Sequence, residues 1–198
     1  FPLEEFEFDW DQFALVTIDH TFSRPRLNSV CSDELESIER MFGRLRRRGY
    51  KRIGIALREH EDCHVKHSWL AGYQAQNSLV EPENRIPHLI TSNWSKEVFF
   101  HWYQSFEPDA IICIDDCVMK WLENAGVSVP GDVGCATLYW LPSRPHLTGF
   151  YQNHETMASV AIDLLATQLY HNESGIPGIP NRVLVSSDWR EGSTLRPE

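Results

Sequence analysis

The side chains with the most chemistry per residue lie in one short stretch, where His60, Asp62, Cys63, His64 and His67 stand close together. His64 and His67 are three apart and share a face if a helix has begun there. Asp62 or Cys63 could then offer a third metal ligand, but the spacing matches no zinc signature. Contact with a small ligand and plain exposed loop histidines are the other two readings. A second candidate is Asp115-Asp116, which follows the apolar run Ala110 to Ile114. An Asp in that place caps the helix that follows, faces a ligand, or does both. Trp69, Trp94, Tyr139 and Trp140 fall at or near predicted strand ends. There they serve as stacking platforms for a sugar or base, or simply pack. Gln152 sits where a hydrogen bond to a ligand or to a hinge is equally served. No G-x-S-x-G elbow, phosphate loop or G-x-G-x-x-G after a strand occurs. No carboxylate pair has a supporting acid-base partner, so the expectation is a binding protein without catalytic residues or cofactor.

The elements that must position these residues alternate. Phe13 to Ile18 reads as a strand. Glu34 to Arg48 reads as a helix, with Leu35, Ile38, Met41, Phe42 and Leu45 on one face and Gly49 as its left-handed cap. Arg52 to Leu57 is the next strand, followed by a helix over His64 to Leu79. Ile86 to Thr91 (strand), Ser95 to Phe106 (helix), Asp109 to Ile114 (strand), Asp116 to Ala125 (helix) and Val133 to Leu138 (strand) continue the series. The run from Asp109 is apolar without alternation, as a strand buried on both faces requires. Repeated strand-helix units predict an α/β fold with a doubly wound parallel sheet. Ligands of such sheets bind beyond the carboxyl ends of the strands. That singles out the loops 58–66, 92–96, 115–116 and 139–143. After residue 145 come a short extended segment at Thr148 to Tyr151, a long amphipathic helix over Asn153 to Tyr170, a last strand at Val183 to Val185, and a tail.

Composition narrows the partners. The 28 acidic against 18 basic residues leave a net charge of -10, which repels phosphate backbones overall. The one basic run, Arg44 to Arg48, sits at a helix end where cations complement the dipole. Five scattered cysteines, two of them inside apolar runs, do not read as a disulfide framework and favour a reducing compartment. No run is long enough to cross a bilayer, and no secretory signal is visible. The expectation is a cytoplasmic protein with no membrane partner.

Several stretches fall in a recognisable order. Val30-Cys31-Ser32-Asp33, Arg48-Gly49-Tyr50-Lys51-Arg52-Ile53-Gly54-Ile55, Ala71-Gly72-Tyr73, Pro108-Asp109-Ala110-Ile111 with Asp115-Asp116, Gly126 to Val133, Leu147-Thr148 with Gln152, and Arg190 with Ser193-Thr194 lie over nearly the whole chain. Together they resemble the LacI/GalR family of bacterial transcription regulators. The resemblance implies a periplasmic-binding-protein-like fold of type I, with two lobes joined by crossovers near Asp33, Gly149 and Ser187. Residues 33–147 with 188–198 would form the complete C-terminal, effector-binding lobe. Residues 1–31 with 151–186 would form part of the N-terminal lobe, and the DNA-binding headpiece would lie outside the sequence. It also implies a homodimer that binds a small-molecule effector between lobes and meets DNA only through that headpiece. The family's effector-clamping Arg corresponds to Trp69 here, and an Asp after a later strand corresponds to Tyr139. The ligand residues expected from all this are Asp116, Trp69, Trp94, Tyr139, His64, His67 and Gln152. Rival readings are a secreted solute-binding protein of the same fold, an α/β hydrolase or transferase, and a cleft filled by its own side chains.

Overall fold

The computed structural model describes residues 8–20, 22, 24–114 and 116–198. In chain order the strands among them are β1 (Val16–Ile18), β2 (Asn28–Ser32), β3 (Ile53–Arg58), β4 (Leu89–Thr91), β5 (Ala110–Cys113), β6 (Gly134–Thr137), β7 (Thr148–Tyr151), β8 (Arg182–Val185) and β9 (Asp188–Arg190). The helices are α1 (Glu34–Arg47), α2 (Glu59–His64), α3 (Ser68–Ser78), α4 (Lys96–Phe106), α5 (Cys117–Asn124) and α6 (His154–Tyr170). The chain divides into two units, one of Phe1–Asp33 with Asn153–Ser186 and one of Glu34–Gln152 with Ser187–Glu198. The fold class is α/β, as the strand-helix alternation predicts.

The smaller unit holds a three-stranded parallel sheet in the order β1-β2-β8. Helix α6 covers one face of it, with Met157 and Ala161 packed on Val30, Val16, Val183 and Val185.

The larger unit carries a six-stranded sheet in the order β4-β3-β5-β6-β7-β9. Its first five strands run parallel, and β9 is antiparallel to β7. Both faces are covered, which is why the strands are apolar throughout. Ile53, Ile55, Leu57, Ile112 and Ala136 pack with residues of α1 and α3. Ala56, Ile111, Cys113 and Cys135 pack with Phe99 and Trp102 of α4 and Val118, Met119 and Leu122 of α5. Burial pushes the Cys135 thiol up to about 12, so this cysteine behaves as a small core hydrophobe. Helices α1 and α3 approach closely because Gly72 has no side chain: a Cβ there would lie 3.0 Å from Ile38 Cβ.

Four elements depart from the expected pattern. In α1, Ile38, Met41, Phe42 and Leu45 are buried but Leu35 is 55% exposed. At 100° per residue Leu35 lies about 70° from the centre of that stripe and outside its edge, whereas Glu34 lies within it, and Glu34 is only 3% exposed. The helix expected over His64 to Leu79 starts only at Ser68 as α3, and a separate helix, α2, occupies the expected loop before it; between them Lys66 (φ 54) and His67 (φ 61) turn left-handed. Asp62 makes the break: its backbone carbonyl accepts the His67 N–H at 2.8 Å, and its carboxylate accepts the Leu70 N–H at 3.1 Å, capping α3 from the preceding helix. Strand β4 begins at Leu89 rather than Ile86 because Pro87 has no N–H for the ladder; its carbonyl instead accepts the Trp102 indole N–H at 2.7 Å. Last, the tail, expected without regular structure, forms β9 antiparallel to β7. The chain leaves the larger unit after Gln152.

Candidate functional site

Parallel strands put all their carboxyl ends on one edge, so Arg58, Thr91, Cys113, Thr137 and Tyr151 end together on the larger unit. Arg58 is the charged end of an otherwise apolar strand. Its backbone N–H and its guanidinium both donate to the Glu61 carboxylate at 2.8 Å. Its Nη2 reaches Cys117 Sγ at 3.8 Å, and the guanidinium lies 5.7 Å from the centre of the Trp94 ring. Trp94 in turn packs on Trp121 with ring centroids 5.5 Å apart. Three loops, after β3, β4 and β5, therefore meet at one place. The Trp94 indole N–H is buried there with no acceptor among the described protein groups, an uncommon state for a polar atom.

Beside this cluster stands Asp116. It precedes α5 without capping it by side chain. Its carboxylate accepts from Lys120 at 2.7 Å and lies 3.9 Å from the Arg144 guanidinium. The Lys120 hydrogen bond, with Arg144 adding less, holds the Asp116 carboxyl below the usual carboxylate range. Asp115 lies outside the described residues. A carboxyl depressed in the folded state adds stability at pH above about 4, and that part is lost as pH falls through the folded value. Asp116 is partly exposed, so the pair is worth less than about 1 kcal/mol. Asp116→Asn should lower the urea midpoint slightly at pH 7, and the gap to wild type should close on acidification. A gap that stays constant with pH would show that the charge contributes nothing.

The loop after β6 is fixed by Thr137, whose hydroxyl donates to the Ile114 carbonyl at 2.6 Å and accepts the Tyr139 N–H at 3.1 Å. Tyr139 is half-buried on this edge. Trp140 meets Tyr151 edge-on at 6.0 Å, and Arg190 lies over both rings.

Two expected ligand residues have other work. The Trp69 indole N–H donates to Glu34 Oε2 at 2.6 Å, and Gln152 Nε2 donates to Glu34 Oε1 at 2.9 Å. All three side chains are buried. The position that the resemblance matches to an effector-clamping Arg is thus an indole held by a carboxylate of α1, and Gln152 is held by the same carboxylate. His64 is exposed and stacks edge-on with His60 at 6.0 Å, while His67 is bonded to Asp62. Among the described residues neither bonds to the Arg58 cluster, and no group of three metal-ligating side chains is gathered. Arg58 and Glu61 lie in the loop 58–66 that the sequence singles out, but neither they nor Cys117, Trp121 and Arg144 are among the ligand residues expected from sequence. The available signal was the charge at the end of the strand Ile53 to Arg58, since that end is where the edge must be.

The sequence also carries a family signature. Residues 42–194 match the periplasmic binding protein-like domain. The chain belongs to that family. Solved structures with the periplasmic binding protein-like fold are similar along most of it. A LacI family transcriptional regulator from Silicibacter pomeroyi has a TM-score of 0.68 at 18% identity, over 92% of this chain and 70% of that one. LacI family regulators with bound ribose follow, one from Enterococcus faecium (TM-score 0.65, 14% identity, 92% and 71% covered) and one from Enterococcus faecalis (0.66, 14%, 92% and 69%). At these identities the likeness is one of fold. No curated protein matches the sequence.

Proposed function

We propose that this chain is the effector-sensing part of a LacI-type transcriptional regulator. Its effector is a small polar molecule with an apolar face, such as a sugar, bound at the strand ends of the larger unit. The observation that carries the reading is the meeting of Arg58, Trp94 and Cys117 from three successive loops, with an unsatisfied indole N–H and the Asp116 carboxylate beside it. A guanidinium and a carboxylate orient hydroxyl groups, and a tryptophan covers the apolar face of a sugar ring. The family and the fold of the ribose-bound regulators support it. Arg58 takes the clamping part in place of Trp69, with Trp94, Asp116 and Tyr139 around the ligand. In the whole protein, a dimer in the cytoplasm would meet DNA through a separate headpiece and respond because the effector binds one of its states more tightly.

Thermal unfolding with a panel of ribose, glucose, cellobiose, gluconate and hypoxanthine tests this. A true effector at a hundred times its Kd stabilises the fold by about 2.7 kcal/mol. Trp94→Ala and Arg58→Ala should each abolish the shift while leaving the unliganded midpoint within a few degrees. No shift from any of the five compounds would sink the proposal, and so would a shift that survives both substitutions.

A further inference from the structure

Outside the Arg58 cluster, the junction of α2 and α3 holds a second arrangement, a thiol, an imidazole and a carboxylate in line. Cys63 Sγ lies 3.9 Å from His67 Nε2, and His67 Nδ1 is bonded to Asp62 Oδ2 at 2.9 Å. Asp62 is 0% exposed and the His67 side chain 60% exposed. A carboxylate accepts only, so the Nδ1 bond places the imidazole proton on Nδ1 and leaves the Nε2 lone pair facing the thiol. The ring is held there by its backbone: Lys66 and His67 are successive left-handed residues, a conformation non-glycine residues keep only when their surroundings impose it. Asp62 imposes it, through its carbonyl to the His67 N–H and its carboxylate to the Leu70 N–H. The thiol itself is exposed, whereas Cys31, Cys113 and Cys135 are buried.

We infer that Cys63 is a modification site for low-molecular-weight disulfides, with His67 as its base. His67 Nε2 takes the Sγ proton and the thiolate attacks one sulfur of the disulfide. The disulfide bond breaks as a new S–S bond forms to Cys63, and the departing thiolate takes the proton back from the imidazole. The small disulfide is the oxidant and leaves as one free thiol, so atoms and electrons balance. The inference stands independently of the regulator reading. It gives the protein a reversible oxidative mark on the helix that follows β3, two residues from Glu61.

The test uses the full reduced chain and glutathione disulfide near neutral pH, followed by intact mass and peptide mapping. Cys63 should acquire glutathione about tenfold faster than Cys117, and dithiothreitol should reverse it. His67→Asn is the informative variant, because Asn tolerates the left-handed backbone that His67 adopts and so keeps the junction folded, as circular dichroism will verify. It should slow the Cys63 reaction about tenfold and leave the Cys117 rate unchanged. Cys63→Ser should remove the fast phase. If Cys117 reacts first, or if His67→Asn reacts within twofold of wild type, the assignment is overturned.

Discussion

Glu34→Ala should destabilise the larger unit by about 3 kcal/mol in urea unfolding. The carboxylate accepts from Trp69 Nε1 and Gln152 Nε2, both on buried side chains. Each donor left without an acceptor costs about 1–3 kcal/mol. Two such donors sum to about 2–6 kcal/mol, and removing a buried charge recovers part of its desolvation, which keeps the total near the low end. The direction follows from an asymmetry. Breaking one partner strands the others, whereas replacing the whole set by apolar groups of similar shape is nearly neutral. The triple variant Glu34→Leu, Trp69→Phe, Gln152→Leu should therefore lose less stability than Glu34→Ala alone. A single variant within about 1 kcal/mol of wild type would show that the three groups find other partners and that the network is not what holds α1 to β7.

Gly149→Ala should be at least as damaging, by about 3 kcal/mol, because the obstruction is backbone rather than a side chain that can rotate. A Cβ at Gly149 would lie 2.0 Å from the Thr137 carbonyl oxygen and 2.6 Å from Thr137 Cγ2. Relief requires β7 to move away from β6, which breaks the pairing of Thr137 with Gly149 and disturbs that of Gly149 with Arg190. Amide exchange in β7 and β9 should accelerate before that in β3 and β5, since the lesion is at one side of the sheet. Gly178→Ala serves as the control: nothing lies within 4 Å of its would-be Cβ, and the change should stay within about 0.5 kcal/mol. Equal melting points for the two variants would mean that the sheet spacing at β6–β7 yields freely.

Both predictions concern how the strand-end edge is held rather than what it binds. Helix α1 is central to this. Its first turn anchors Gln152 through Glu34 and Ser187 through Ser37, whose hydroxyls are 3.2 Å apart, while Arg40 donates to the Ser187 carbonyl at 2.8 Å. Gln152 and Ser187 are the residues at which the chain leaves and re-enters the larger unit. Side chains there are therefore committed to holding the chain's entry and exit.

What the sequence determined by itself were features that depend on neighbours a few residues away. Continuous apolar runs at Ile53 and Ala110 specify strands covered on both faces. The stripe Ile38, Met41, Phe42 and Leu45 specifies a helix with one buried side, and Gly49 and Gly126 end their helices at positive φ. Such signals survive in isolation because helix periodicity and backbone sterics act locally. Only the tertiary structure decided what the buried Glu34 carboxylate is paired with, that Asp116 pairs with Lys120 and Arg144 instead of capping α5 by its side chain, and that the tail at Trp189 becomes a strand. Trp69 and Gln152 reach Glu34 across 35 and 118 residues of chain. A buried carboxylate is tolerable only once such distant donors have been brought to it, and no local pattern records which donors those will be.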